Sequence, residues 1–199
     1  MAEHPQMGFE NMKSKVDRST LLVILFTAAA LLLGLVLRGL VNARVSVVER
    51  AGVRAEVPAG WLVERGLAGE EMVFTTVNPL NPAARYTVNL LPSGEEIHFN
   101  DLVFSRNYQR GQSLESYVVL EQSEVIFDGR PAFRVHYAYV LNHGNGAVPE
   151  VMEGMDYYFL TLPKALVVSL EARSDRFGSQ QARFKTFVAS VTYTSGGGQ

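Results

Sequence analysis

The sequence predicts an α+β domain, an antiparallel sheet sandwiched by helices, joined at its N-terminal side to one membrane-spanning helix. Three observations carry that expectation. Residues 21–37, LLVILFTAAALLLGLVL, form an unbroken apolar run. From Val45 onward the pattern changes to short β-prone runs of period two. Near the C-terminus, Phe177, Gln181, Phe184, Phe187, Val188 and Val191 recur on one face at helical spacing. The domain organisation that follows is a short mobile tail (1–19), a transmembrane helix (20–41), one globular domain (42–194) and a flexible tail (195–199).

The apolar run carries no charge, and its one polar side chain, Thr27, can bond back into the helix. Hydrocarbon offers no partners to backbone N–H and C=O groups, so a lone crossing segment must be a helix. At 1.5 Å per residue the run spans roughly 25 Å, slightly short of a hydrocarbon core of about 30 Å. Extension through Arg38-Gly39-Leu40-Val41 closes the gap, because an arginine near a helix end snorkels to the headgroups. The competing reading is a cleaved signal with its site at Val41-Asn42-Ala43. The apolar run exceeds the usual h-region of roughly 7–15 residues, which favours an uncleaved anchor. Lys13, Lys15 and Arg18 precede the span and Arg38, Arg44, Arg50 and Arg54 follow it, so charge does not fix its orientation. The tail is expected in the cytoplasm and the domain outside it, as is common for a short tail before a first anchor. Ala30 and Gly34, at small-xxx-small spacing, are a candidate helix–helix contact.

In the domain, 45–57 reads as a first strand ended by Pro58-Ala59-Gly60, with Trp61 after it as a packing residue. A strand at 72–77 is closed by Asn78-Pro79 and Asn81-Pro82, and another at 86–91 by Pro92-Ser93-Gly94. Residues 95–110 suit either a helix or an ordered loop. Ser113 reads as the N-cap of a helix over 113–123, with Glu115 in its first turn and Leu114, Tyr117, Val118 and Glu121 on one face. Asp128-Gly129 is a turn dipeptide between two β-prone runs. A second hairpin passes through 142–146, and a third turns at Leu162-Pro163-Lys164. Consecutive hairpins imply an antiparallel meander. A C-terminal helix then buries its phenylalanine stripe on the sheet.

Composition excludes several functions. A net charge of −2 lacks the cationic surplus that nucleic-acid binding requires. With no cysteine there is no disulfide framework, no thiolate catalysis and no thiolate-bound metal. No phosphate loop, dinucleotide fingerprint, HExxH or G-x-S-x-G is present. His98 beside Glu95 and Glu96 has no helical metal-ligand spacing, and His143 falls at a loop tip. If the second hairpin is symmetric about Gly146, His136 faces Asp156 and Arg134 faces Tyr158 across the ladder. These four form the candidate interaction patch, against the plainer reading of a polar outer face.

Pro58-Ala59-Gly60-Trp61 after a first strand, the 113–123 segment, Asp128-Gly129-Arg130-Pro131-Ala132 leading to Arg134 and Tyr137, and 170–177 (LEARSDRF) before a C-terminal helix together resemble the PsbP-like family, including its DcrB-like bacterial members. The likeness runs in order through most of residues 45–193. It implies an α/β/α sandwich around an antiparallel sheet in a mostly non-enzymatic family, several members of which attach to or assist membrane complexes, photosystems among them; the residues themselves give no reason to expect catalysis, a cofactor or a metal. The function expected from sequence is therefore a membrane-tethered, non-catalytic accessory or assembly subunit, docking on a larger membrane complex through an extracytoplasmic domain. The alternative is a binding module for a small ligand or lipoprotein at the membrane surface. The first needs an exposed patch and the second a pocket with converging polar groups.

Overall fold

The computed structural model describes residues 18–42, 45–67, 71–79, 84–94, 98–144 and 146–194. Of the expected tail at 1–19, residues 1–17 lie outside the described residues, as do 195–199 and Glu95 and Glu96, whereas Arg18 and Ser19 already belong to a helix. The chain divides into two compact units, one ending at Ala43 and the other beginning at Arg44. The first unit is helix α1, Arg18–Asn42. Its Thr27 hydroxyl donates to the Val23 carbonyl at 2.9 Å, which removes the run's one polar liability. The α1 side chains described as a continuous run, 21–36, are all exposed; they cover about 24 Å of helix. The transmembrane helix expected at 20–41 is not supported: among the described residues no helix is long and apolar enough to cross a membrane.

The second unit begins with β1 (Val45–Arg50) and β2 (Val53–Pro58), then β3 (Leu62–Arg65), β4 (Met72–Val77) and β5 (Ala84–Pro92). Helix α2 (Phe99–Ser113) precedes β6 (Glu115–Phe127), β7 (Arg130–Leu141), β8 (Glu150–Thr161) and β9 (Lys164–Arg173). Helix α3 (Ser174–Ser190) and the short β10 (Thr192–Tyr193) complete it. The main sheet is seven-stranded and antiparallel, in the order β3-β4-β5-β9-β8-β7-β6. A small sheet, β1-β2-β10, accompanies it.

Two expectations about elements are corrected. The single strand at 45–57 is a hairpin, because Ala51 (φ 49°) and Gly52 (φ 77°) both turn left-handed, the backbone that a two-residue primed turn demands. The helix expected at 113–123 is strand β6, and Ser113 ends α2 rather than capping a new helix. The register of β6 on β7 shifts between Glu115 and Val118 and again between Val119 and Glu121. Two irregularities in so short a stretch break the period-two pattern and leave a false helical one. The undecided segment upstream is the true helix. At its N-cap, the His98 backbone N–H donates to the Asp101 carboxylate at 3.4 Å.

The turn at Asp128-Gly129, the C-terminal stripe and the packing role of Trp61 are as the sequence predicts. Asp128 (φ 50°) and Gly129 (φ 74°) turn the chain from β6 into β7. The α3 stripe is buried: Phe177, Phe184, Phe187 and Val188 pack on one sheet face against Phe74, Tyr86, Val168 and Leu170. Tyr86 sits at the centre, with ring centroids of Trp61, Phe187 and Phe184 at 4.7, 5.0 and 5.2 Å. Trp61 is thus the packing residue its sequence context suggested. Each buried phenylalanine contributes about 1.5–3 kcal/mol, so α3 is held by apolar area. The opposite face carries a smaller core in which Leu102 and Val103 of α2 meet Phe133, Val135, Tyr137, Tyr158 and Val167.

The β1–β2 turn yields a prediction. A Cβ on Gly52 would sit 2.6 Å from the Thr194 carbonyl oxygen, whose own amide donates to Gly52 O at 2.9 Å. Gly52→Ala should lower stability by about 1–3 kcal/mol, read as a lower urea midpoint. An unchanged midpoint would show that the β10 end is not clamped to this turn.

Candidate functional site

The register of β7 on β8 decides what the predicted patch residues do. Arg134 pairs with Tyr157, Val135 with Asp156, His136 with Met155 and Phe133 with Tyr158. That is one residue away from the register expected from symmetry about Gly146, and a one-residue slip moves side chains to opposite faces. His136 therefore does not face Asp156, and Arg134 does not face Tyr158. Arg134 and His136 lie on the α3 face, where Arg134 pairs with Glu121 and reaches Ser123 Oγ at 3.5 Å. His136 Nε2 lies 2.9 Å from Glu153 Oε2, and its ring stacks on Phe177 at 4.9 Å. Asp156 and Tyr158 lie on the α2 face. Ala30 and Gly34 are exposed on α1, one turn apart. His143 Nε2 is 3.6 Å from Glu150 Oε2. Among the described residues no group of His, Asp and Glu is placed to hold a metal.

The α2 face has a different composition from the α3 face. A row of cross-strand neighbours, Asp156, Ser169, Thr87, Thr75 and Glu64, runs from β8 through β9, β5 and β4 to β3. Thr75 Oγ1 donates to the Tyr86 carbonyl at 3.0 Å and lies 3.0 Å from Thr87 Oγ1. At the β8 end the row meets a buried ion pair. Arg110 of α2 grips Asp156 with two hydrogen bonds, Nη1 to Oδ2 at 2.6 Å and Nη2 to Oδ1 at 3.2 Å, with side chains 11% and 0% exposed. The Tyr158 hydroxyl adds a bond to Asp156 Oδ2 at 3.0 Å.

The guanidinium of Arg110 also lies 4.0 Å above the Tyr137 ring, a cation–π contact. The ring rests over Gly154, where a Cβ would fall inside it. Tyr137 in turn donates to Glu171 Oε1 at 3.2 Å, and Glu171 pairs with Arg85. Burial pushes the Asp156 carboxyl up, but the charge and hydrogen bonds of Arg110, helped by Arg106, outweigh it and hold the carboxyl below its usual range. Burial and the Asp156 charge push the Tyr158 phenol far above its usual value.

Between α2 and this polar face lies an open cleft of about 400 Å³, lined by Arg85, Arg106 and Arg110, by Asn89 and Thr87, and by Glu171 among others. Its donors, the arginines and the amide, stand beside the carboxylates of Glu64 and Glu171, and Arg85 and Arg110 are already ion-paired. The second exposed feature is the sheet edge. β6 ends the seven-stranded sheet and has no outer strand partner among the described residues. Val118, Leu120 and Ile126 on it are 49%, 52% and 73% exposed. Sequence reasoning missed both features. The alternation Ser123, Val125, Phe127 was the available signal for the strand. Nothing local links Arg110 to Asp156.

A seven-stranded antiparallel sheet with one helix on each face and a small accessory sheet defines the class of protein. Solved structures share this fold. The PsbP protein (CyanoP) of Synechocystis sp. is similar with a TM-score of 0.59 at 14% identity, over 76% of this chain and 94% of that one. The Ran-binding protein Mog1p of Saccharomyces cerevisiae is similar with a TM-score of 0.50 at 12% identity, over 75% of this chain and 95% of that one. The likeness is one of fold, and it bears out the PsbP-like architecture expected from the motifs. No family model and no curated protein matches the chain.

Removing one partner of a buried pair strands the other charge, whereas removing both does not. Arg110→Met should cost about 3–5 kcal/mol, and the double variant with Asp156→Leu should recover most of it. Because the folded pKa of Asp156 is depressed, its contribution is present above the unfolded value, near 3.9, and is lost as pH falls through the lower folded value. Urea midpoints from neutral pH to pH 3 should fall more steeply for the native chain than for the double variant. Equal slopes would show that Asp156 carries no pH-linked stability.

Proposed function

We propose that the protein is a non-catalytic accessory subunit, held at a membrane by α1, that docks on a larger membrane complex through the open β6 edge. The observation that carries this reading is β6 itself. It presents 13 residues with an outer edge unpartnered among the described residues and exposed Val118, Leu120 and Ile126. An edge of unpaired N–H and C=O groups is a template for strand addition. Soluble proteins that do not use such edges guard them with lysine, proline or bulges; β6 contains no lysine or proline, and its two bulges lie before residue 121, which leaves 121–127 regularly paired and open. That one protein of this fold binds Ran supports the use of the scaffold for protein recognition.

The tether rests on the sequence of the apolar run 21–37 extended through Val41, since the described side chains of α1 alone are too short a run to cross a membrane. In this reading the N-terminal tail is cytoplasmic and the domain extracytoplasmic. The domain then meets only partners near the bilayer, and strand addition needs no pocket and no cofactor.

The test is extraction in mild detergent followed by co-purification of native chain and of a chain carrying Leu120→Asp and Ile126→Lys. The native chain should bring down a defined membrane complex, and the β6 variant should lose it while keeping its thermal midpoint. Arg183→Gln, on the exposed side of α3, should retain it. A native chain that runs alone as a monomer, or a β6 variant that still binds, would overturn the docking reading. Protease added to spheroplasts should cut the domain and spare the tail; the reverse pattern would invert the orientation.

A further inference from the structure

The polar cleft holds donors that its own residues do not satisfy. Three arginines line it. Arg110 is neutralised by Asp156 and Arg85 by Glu171. Arg106 forms no ion pair among the described residues, and its Nε is buried without a hydrogen-bond partner. Its charge acts on Asp156 without touching it. On the floor of the cleft Asn89 of β5 is 5% exposed, and its Nδ2 also has no partner. The Ser169 hydroxyl on the same cleft is likewise unpartnered. Buried polar groups in native proteins are almost always hydrogen-bonded, so three orphaned groups lining one cleft, all able to donate, mark the place of an acceptor.

The charges around the cleft narrow what that acceptor is. Arg106 supplies one positive charge that is not taken up in an ion pair among the described residues. Glu64 lines the same cleft and is exposed in β3. The Glu171 carboxylate is already held by Arg85 and by Tyr137. A polyanion would meet both carboxylates, whereas a small anion with two or three acceptor oxygens needs only Arg106 and Asn89. The volume, about 400 Å³, accommodates a small molecule and not a folded partner.

We propose that the cleft between α2 and the polar face of β4, β5 and β9 binds a small oxyanion, a carboxylate or a phosphate, with Arg106 and Asn89 as its donors. The guanidinium gives charge-assisted bonds to a planar or tetrahedral oxyanion, and the Asn89 amide fixes its orientation. The site stands apart from the docking edge, since β4, β5 and β9 are separated from β6 by β8 and β7.

Calorimetric titration of the full chain in mild detergent, at constant ionic strength, tests this with inorganic phosphate in one arm and succinate in the other. At least one probe should bind saturably, and which one does distinguishes a phosphate from a carboxylate ligand. Arg106→Gln should weaken that binding tenfold or more, and Arg183→Gln should leave it unchanged. In the native chain the Asn89 side-chain amide resonances should move with the same titration, a readout that does not depend on a variant folding. The proposal is overturned if neither probe binds, if binding survives in a folded Arg106→Gln chain, or if the Asn89 amide stays still.

Discussion

Asp156 carries a charge with no access to water, and much of the α2 face is arranged around that constraint. A carboxylate at 0% exposure persists as an ion only with close, well-directed donors. Arg110 supplies two and Tyr158 a third. To do so Arg110 must itself be buried, and the ring of Tyr137 takes the far side of its guanidinium. That ring needs the space over Gly154, which a side chain there would fill. One charge thus sets the identity of a glycine, two tyrosines and an arginine on three elements. Such a pair adds little net stability, because desolvation offsets most of the attraction. Its effect is positional: it specifies where the C-terminal part of α2 sits on the sheet.

The two helices consequently hold their faces by different means. α3 buries a phenylalanine stripe on Tyr86 and its neighbours, and the face beneath it is apolar from Phe74 to Leu170. α2 buries Leu102 and Val103 chiefly against β7, β8 and β9. The adjoining part of that face, on β4 and β5, carries Thr75, Thr87, Arg85 and Asn89. An apolar face there would have been an exposed patch and an aggregation liability. Threonines and charged residues keep it soluble while leaving the concavity that α2's arginines overhang.

The fold was legible wherever local chemistry and tertiary structure agreed. Asp128-Gly129 turns the chain because positive φ is cheap there, and α3 forms because one stripe of phenylalanines has one place to go. β6 misled because its two bulges broke the alternation just where Leu114, Tyr117, Val118 and Glu121 mimic a helical face. The turn at Ala51-Gly52 was hidden by alanine, which rarely takes φ 49° without a glycine after it. The candidate patch failed by half a residue. The pairing of Leu141 with Glu150 centres the loop just before Gly146, not on it, and that difference moved Asp156 from a surface ladder to a buried ion pair. No sequence pattern joins Asp156 to Arg110, 46 positions away; only the packing of α2 does.

The same sheet presents two unequal edges, and the inequality gives the docking argument its direction. β3 is four residues long and offers few backbone groups. β6 is 13 residues long, and the first of its bulges lies beside Ser116 at φ 54°. Bulges near one end twist that end away from any added strand. The stretch beyond the second bulge, 121–127, keeps regular pairing with β7, and from Gln122 onward it alternates exposed and half-buried. A strand added to the sheet therefore has one continuous place to pair, along the half of β6 next to the Asp128-Gly129 turn. Its side chains would meet Glu124, which has no partner within an ion pair among the described residues, and the exposed Ile126. That chemistry favours a partner strand with a basic and an apolar residue two positions apart over a second copy of β6, whose own glutamates would oppose it.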